Sequence, residues 1–280
     1  MEVEKAAWRQ NMEPLLRVEN LVKKYERKSS LGSNEELLAL DGVSFAVAQG
    51  TTLAVVGESG SGKSTLGFCI SCLESPATGS IWFEGRDITV LTENERRLIR
   101  PQIQLIFQDP SNSLNPRWSV EEILLEPLIL QGKLTREEMK SRAVALMAQV
   151  GLSSDTLQRS PAQLSGGQRQ RLAIARALAL EPKLIILDEA LSALDCSIQA
   201  QIANLLMELQ RNLGMTYLFI THDLVMAGHL ADEIAVMYRG QIMEQGPTQK
   251  VLRRPTQEIT RNLLAAMPSL DRAARPPLDS

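Results

Sequence analysis

The sequence is poor in the residues that mark several classes of protein. It has 3 cysteines and 2 histidines among 280 residues, too few for a disulfide framework or a zinc-binding insertion. Basic and acidic residues nearly balance, 30 against 33, so no positive excess indicates a nucleic-acid-binding surface. No apolar run approaches the ~20 residues that a membrane-spanning helix needs, and the first residues lack the apolar core of a signal peptide. We therefore expect a cytoplasmic protein that binds no nucleic acid.

The motif around which the chain is organised is GESGSGKS, from Gly57 to Ser64. It fits the phosphate-loop pattern GxxxxGK[ST]. The apolar run 51–56 predicts a buried strand before the loop, and the run that begins at Lys63 predicts a helix after it. In that context the glycines let backbone N–H groups converge on one anion, Lys63 reaches the β- and γ-phosphates of ATP, and Ser64 ligates Mg²⁺. The residues expected to bind nucleotide here are Gly57, Glu58, Ser59, Gly60, Ser61, Gly62, Lys63, Ser64 and Thr65.

A carboxylate pair, Asp188 and Glu189, follows the apolar run Leu184–Leu187. Doubly wound folds bind ligands at the carboxyl ends of such strands. We expect Asp188 to hold Mg²⁺, directly or through water, and Glu189 to act as general base on an attacking water. The alternative is that the pair only begins a loop.

Two other strands end in a polar side chain that suits a nucleotide site. Gln108 follows the run 103–107, and His222 follows the run 217–220. The Gln108 amide can ligate Mg²⁺ or water in one position and release it in another, and the His222 imidazole can hydrogen-bond a γ-phosphate. The alternatives are a solvated glutamine and a structural histidine.

A second anion site is predicted where Ser165, Gly166, Gly167 and Gln168 precede a helix, because a helix N-terminus attracts negative charge. One solution to a separate anion site is a head-to-tail dimer, in which this segment covers the γ-phosphate on the partner's loop. Tyr25 is a candidate for stacking on adenine, with a half-buried strand residue as the alternative.

The order of elements predicts an α/β fold with a largely parallel sheet, because apolar strands alternate with helical patterns. Val120–Val150 is predicted to be a helical insertion broken at Pro127, and residues 26–37 a polar loop. A hairpin is expected to turn at Arg239–Gly240. Residues 247–266 are predicted to be helical in two pieces broken at Pro255, followed by a mobile tail over 267–280.

At these motifs the chain resembles the ATP-binding subunit of ATP-binding cassette transporters. Gly57–Ser64 resembles the Walker A motif, Leu184–Asp188 the Walker B motif, and Leu164–Gln168 matches the signature motif. By the same resemblance, the catalytic glutamate would be Glu189, the Q-loop glutamine Gln108 and the switch histidine His222. The adenine-stacking aromatic would be Tyr25, and Ser192–Asp195 resembles the D-loop.

The resemblance implies a P-loop NTPase fold with a RecA-like core, a helical signature subdomain near 115–170 and a small antiparallel β subdomain. The ATP-binding domain would span 15–250, and residues 251–280 would form a helical extension and tail. It also implies an ATPase that uses ATP and Mg²⁺ and works at the cytoplasmic face of the inner membrane. Its partners would be two transmembrane permease subunits, a second ATP-binding subunit, identical or homologous, and indirectly an extracytoplasmic solute-binding protein.

The sequence of the segment Gln108–Arg117 is similar to the same segment in ATP-binding subunits of bacterial importers of oligopeptides, dipeptides or nickel. Many peptide-type members carry His-Pro-Tyr where this chain has Gln257-Glu258-Ile259, so peptides and nickel or metal chelates both remain open. The alternative class is a soluble cassette ATPase of DNA repair, chromosome structure or translation. The chain has no long heptad run, no zinc-type cysteine pairs and no second cassette to favour that class.

Overall fold

The computed structural model of the chain describes residues 13–28, 34–109, 113–132 and 134–266. The strands, in chain order, are β1 (Leu16–Lys28), β2 (Asn34–Val47), β3 (Thr52–Val56), β4 (Thr78–Phe83), β5 (Arg86–Asp87), β6 (Ile103–Ile106), β7 (Leu184–Asp188), β8 (Thr216–Thr221), β9 (Glu233–Tyr238) and β10 (Gln241–Pro247). The α-helices are α1 (Lys63–Ile70), α2 (Glu93–Ile99), α3 (Val120–Gln131), α4 (Arg136–Gln149), α5 (Gly166–Leu178), α6 (Cys196–Leu213), α7 (Leu224–Leu230), α8 (Thr248–Arg253) and α9 (Glu258–Ala265).

The larger sheet has the strand order β10-β9-β3-β8-β7-β6. Its strands β6, β7, β8, β3 and β9 are parallel, and β10 pairs with β9 in the antiparallel direction. Strands β3, β7 and β8 are buried along their whole length, as their continuous apolar runs predict for a sheet covered on both faces. The register pairs Val56 with Thr221 and Asp188 with Ile220, so the carboxyl ends of these strands meet at one edge. The predicted α/β fold is confirmed.

The smaller sheet is antiparallel, with the order β2-β1-β4-β5. The predicted loop over 26–37 is wrong at both ends, because β1 continues to Lys28 and β2 begins at Asn34. Among the described side chains near these strand ends, Lys24, Glu26 and Glu36 are exposed, and Lys24 Nζ pairs across the strands with Glu36 Oε2 at 2.8 Å. Polar composition therefore concealed a hairpin, while residues 29–33 lie outside the described residues.

Helices α3 and α4 confirm the predicted helical insertion, but the break predicted at Pro127 is wrong. Helix α3 runs through the buried Pro127 and ends at Gly132, which adopts a left-handed φ of 64°. A proline removes one backbone donor, and here the burial of Ile123, Leu124 and Leu128 on the same helix offsets that loss. The N-terminus is fixed by Ser119, whose backbone N–H donates to Glu122 at 2.7 Å in a capping box.

The C-terminal region follows its prediction closely. The turn at Arg239 and Gly240, with φ of 47° and 83°, joins β9 to β10, and helices α8 and α9 are separated around Pro255. Within the described ranges no helix combines the length and hydropathy needed to cross a membrane. The tail 267–280 lies outside the described residues, and the domain boundaries at 15–250 and 115–170 stay predictions.

Candidate nucleotide-binding site

The phosphate loop connects β3 to α1 and passes very close to neighbouring backbone. A Cβ atom on Gly57 would lie 2.1 Å from the carbonyl oxygen of Met237, and one on Gly62 would lie 2.3 Å from that of Ala39. Gly62 also has a φ of 103°, a conformation that side chains oppose. Glycine is therefore required at both positions, for the curl of the loop and for its contact with β2 and β9.

Lys63 is held inside this loop, and only 4% of it is exposed. Its Nζ donates to the carbonyl oxygens of Gly57 at 2.8 Å and Glu58 at 2.7 Å. Burial lowers the pKa of Lys63, although the negative charges of Glu189 and Asp188 act in the opposite direction. The loop therefore presents a positive charge that is poorly solvated and close to two carboxylates, a setting that favours an anionic ligand.

Ser64 and Asp188 meet between α1 and β7, where the Ser64 hydroxyl donates to Asp188 Oδ1 at 2.9 Å. Only 6% of Asp188 is exposed, and burial raises the pKa of its carboxyl despite the Ser64 hydrogen bond and the Lys63 charge. A hydroxyl and a carboxylate are hard oxygen donors of the kind Mg²⁺ takes. The described residues contain no cluster of three or more His, Cys, Asp or Glu able to hold a metal, and Mg²⁺ binding by Ser64 and Asp188 stays a prediction.

Glu189 lies at the edge of the sheet in a left-handed conformation with a φ of 48°. Its N–H donates across the sheet to the Ile220 carbonyl at 2.9 Å, which holds this backbone in place. The Glu189 Oε2 atom lies 3.5 Å from Nδ1 of His222. The structure therefore brings together the expected general base and the expected phosphate sensor, from the ends of β7 and β8.

Gln108 joins this group indirectly. Its Nε2 donates to the Ser192 hydroxyl at 3.2 Å, and that hydroxyl donates to the Glu189 carbonyl at 2.8 Å. Ser192 is therefore a bridge that the reasoning on single motifs did not identify, although it lies within the motif that resembles the D-loop. Ligation of Mg²⁺ by Gln108 stays a prediction.

A cavity of about 270 Å³ opens over the phosphate loop and extends to Tyr25 on β1. Leu37, Leu38 and Ala39 of β2 also line it, and Tyr25 pairs with Leu37 across the hairpin. None of the three was predicted as a site residue: Leu37 falls in the segment predicted to be a loop, and Leu38 and Ala39 begin the apolar alternation that follows it. The Leu-Leu-Ala run that ends the polar stretch is the signal that could have revealed them. The remaining lining residues are Ser59, Gly60, Gly62, Lys63, Ser64, Thr65 and Glu189.

The signature segment lies elsewhere, at the N-terminus of α5. Ser165 caps this helix in a reciprocal pair with Gln168, whose backbone N–H donates to the Ser165 hydroxyl at 3.3 Å. A Cβ on Gly167 would lie 2.7 Å from Ile198 of α6, so glycine is required for the packing of these helices. None of the four predicted signature residues is among those that line the cavity. Their role in nucleotide binding stays a prediction.

The sequence of this chain is similar to those of known proteins over most of its length. The family model described as ABC transporter matches residues 40–192. The dipeptide transport ATP-binding protein DppF of Escherichia coli is 46% identical over 92% of this chain and 78% of its own length. The putative peptide import ATP-binding protein BOV_A0347 of Brucella ovis is 47% identical over 94% of this chain and 81% of its own length.

The fold of this chain is also similar to those of solved structures. The ATP-binding cassette MJ0796, described as a dimer in a post-hydrolysis state bound to ADP and Pi, matches with a TM-score of 0.74 and 31% identity, over 83% of this chain and 98% of that one. The structure of cbiO1 from Clostridium perfringens, part of the ABC transporter complex cbiONQ, matches with a TM-score of 0.75 and 30% identity, over 91% and 96%. The chain therefore belongs to the ABC transporter family, as an ATPase cassette with a P-loop NTPase fold.

Proposed function

We propose that this chain is the ATP-hydrolysing subunit of a bacterial importer of peptides, at the cytoplasmic face of the inner membrane. The observation that carries the proposal is the pair of buried charges Lys63 and Asp188, with Ser64 bonded to Asp188 and Glu189 lining the same cavity as Lys63 and Ser64, in a chain 46% identical to a dipeptide transport ATP-binding protein. The relatives reported above are named for dipeptides or peptides, which favours peptides over nickel or metal chelates as cargo.

The chemistry proposed for the site assigns one task to each group. The phosphate loop and Lys63 bind the β- and γ-phosphates, and Ser64 and Asp188 hold Mg²⁺, which neutralises phosphate charge. Glu189 accepts the proton of the attacking water as general base. His222, 3.5 Å from Glu189, hydrogen-bonds the γ-phosphate, and Gln108 follows the state of the site through Ser192.

A second cassette is proposed to complete the site, with ATP held between the two. Ser165 lies exposed at the helix N-terminus of α5 and away from the cavity of its own chain, where it can face a partner. The structure matched above is described as a dimer. A homologous or an identical subunit can supply this surface, since the motifs expected of a working cassette are all present in this chain.

A groove of about 1190 Å³ between α2, α3 and α4 is proposed to receive the permeases. Its wall includes Leu98 and Leu130, which are 70% and 81% exposed, an apolar surface of the kind that marks protein interaction sites. Two multi-span permease subunits would bind the two cassettes here and beside the Gln108–Arg117 segment. The extracytoplasmic solute-binding protein would act through the permeases.

Co-purification from gently solubilised membranes tests this proposal. With the chain tagged and produced in its own cells, we expect two multi-span permeases, with or without a second cassette, to be recovered by mass spectrometry. A variant with Lys63→Ala, which removes the phosphate contact but no groove residue, should recover the same permeases. Recovery from the soluble fraction alone, with no permease, would instead support a soluble cassette ATPase.

A further inference from the structure

We propose that Lys23 and Glu74 are positioning residues that orient the Tyr25 ring for stacking on adenine and anchor it to the helix that carries the phosphate loop. The inference rests on the proposed function, because it requires ATP in the cavity beside Tyr25. It assigns a role to two residues that belong to none of the sequence motifs described above.

The three side chains form one connected cluster. The Tyr25 hydroxyl donates to Glu74 Oε2, and Lys23 Nζ lies 3.1 Å from the same oxygen. The Lys23 ammonium also donates to the Ser75 carbonyl at 2.9 Å. The side chains of Lys23 and Glu74 are 16% and 30% exposed, so their ion pair is screened less than a fully exposed one. The tyrosine is therefore restrained at its hydroxyl end.

The ring is restrained at one face as well. Lys23 Nζ lies 4.9 Å from the centroid of the Tyr25 ring, within the distance of a cation–π interaction. A ring with one face against an ammonium can offer only the other face to a base. Tyr25 lines the cavity over the phosphate loop, and in our proposal the ring face away from Lys23 is the one that meets the base there.

The cluster also fixes the separation between the two ends of the site. Tyr25 and Lys23 belong to β1, whereas Glu74 and Ser75 follow α1, whose first turn carries Lys63 and Ser64. The cluster therefore joins the strand that bears the base-stacking residue to the segment after the phosphate-loop helix. A site whose two ends are held at a fixed distance loses less conformational freedom when ATP binds.

The test compares two ligands that share phosphates and differ in the base. Dissociation constants for Mg²⁺ with ATP and for Mg²⁺ with inorganic tripolyphosphate are measured on the full-length chain by calorimetry. We expect Lys23→Met and Glu74→Leu to weaken ATP binding about threefold to tenfold and to leave tripolyphosphate binding unchanged. The double variant Lys23→Met/Glu74→Leu replaces the ion pair by apolar groups and so guards against misfolding caused by an unpaired charge.

Lys24→Met is the matched control. Lys24 is the next residue on β1, and it pairs with Glu36 at 2.8 Å on the exposed side of the hairpin. We expect it to change neither dissociation constant. Equal loss of both ligands in the Lys23 and Glu74 variants would show general damage and overturn the inference, as would unchanged ATP affinity in all of them. Wild-type protein that bound tripolyphosphate and ATP equally well would overturn base stacking itself, while failure to bind either would overturn the proposed function.

Discussion

At the scale of single residues, the site holds charges where solvation is poor. Lys63 and Asp188 are both buried. Burial lowers the pKa of Lys63 and raises the pKa of Asp188, so in each case it favours the neutral form. Their charges compensate each other only in part, since Glu189 adds a repulsive charge next to Asp188. A site of this kind lowers the stability of the free protein and becomes favourable when a cation and phosphates bind.

Asp188→Asn should therefore stabilise the free protein while it disables metal binding. The pKa of Asp188 is raised on folding, so the native state binds this proton more tightly than the unfolded state. The stability from this carboxyl is present at low pH and declines as pH rises from the ordinary Asp value to the raised one. We expect a melting temperature higher by a few degrees at pH 7, without Mg²⁺ or nucleotide.

Thermal unfolding at pH 4 and pH 7 provides the check. The advantage of Asp188→Asn should appear at the higher pH and shrink at the lower one. Asp155→Asn, at an exposed position between α4 and α5, should show no such difference. A variant less stable than wild type at pH 7 would mean that the interactions with Ser64 and Lys63 outweigh the burial of the carboxylate.

The sequence was sufficient to locate Lys63, Ser64, Asp188, Glu189 and His222, because each stands at a fixed offset from a buried strand. Residues whose role depends on tertiary register were not predictable in this way. Leu37 reaches the cavity only through its pairing with Tyr25, and Glu74 reaches Tyr25 across 49 positions of sequence. The Leu-Leu-Ala run at Leu37 indicates a strand but not its pairing with Tyr25, and nothing near Glu74 in the sequence indicates its contact with Tyr25.

At the scale of elements, a single carboxylate fixes the position of α9. Glu244 on β10 accepts hydrogen bonds from the Thr256 N–H at 2.8 Å, the Thr256 hydroxyl at 2.9 Å and the Gln257 N–H at 3.2 Å. Burial acts to raise the pKa of Glu244, but these hydrogen bonds hold it below its ordinary value. The charged form therefore stabilises the start of the C-terminal helix.

Glu244→Gln should loosen α9 and leave the rest of the fold intact. We expect hydrogen exchange in α9 to accelerate about tenfold, the amount expected from weakened hydrogen bonds to a charge. In the wild type the same loosening should appear as the pH falls through the lowered pKa of Glu244, because a lowered pKa gives stability that is lost in acid. Mass-spectrometric exchange over residues 248–266 measures both effects, and unchanged rates would contradict the role of Glu244.

The groove between α2, α3 and α4 gives a second prediction at this scale. Leu130→Asp introduces a charge at a side chain that is 81% exposed, so the fold should tolerate it. We expect severalfold lower recovery of the permeases and an unchanged ATP dissociation constant for the isolated chain, because burying an unpaired charge in an interface is costly. Val90→Asp, at a position that is 77% exposed and outside the groove, is the control. Equal recovery with both variants would remove the groove as the docking surface.

The secondary structure of buried elements could be predicted from their sequence pattern, whereas that of exposed elements could not. The runs of β3, β7 and β8 are apolar because both faces are covered, so their prediction was secure. Towards the end of the β1–β2 hairpin the described polar side chains Lys24, Glu26 and Glu36 are exposed, and polar residues of this kind carry no strand signal. The break predicted at Pro127 was wrong because buried residues of the same helix stabilise it by more than the loss of one hydrogen bond costs.

At the scale of the whole molecule, the phosphate loop and the signature segment, which we propose to be two parts of one nucleotide site, do not meet within the described chain. The phosphate loop, Asp188 and Glu189 are together, while Ser165 and the N-terminus of α5 lie apart from their cavity. Two cassettes in head-to-tail contact would bring each signature segment to the other's phosphate loop. ATP would then hold the dimer closed, and hydrolysis would release it.

ATP turnover by the Glu189→Gln variant, assembled with its partners, is the decisive experiment. We expect steady-state hydrolysis to fall about a hundredfold or more, because a general base contributes on that scale. ATP binding should be retained, and a closed dimer containing unhydrolysed ATP should accumulate on size-exclusion chromatography. Hydrolysis at the wild-type rate would contradict the assignment of Glu189 as the base, and ATP binding without dimers would contradict the shared site.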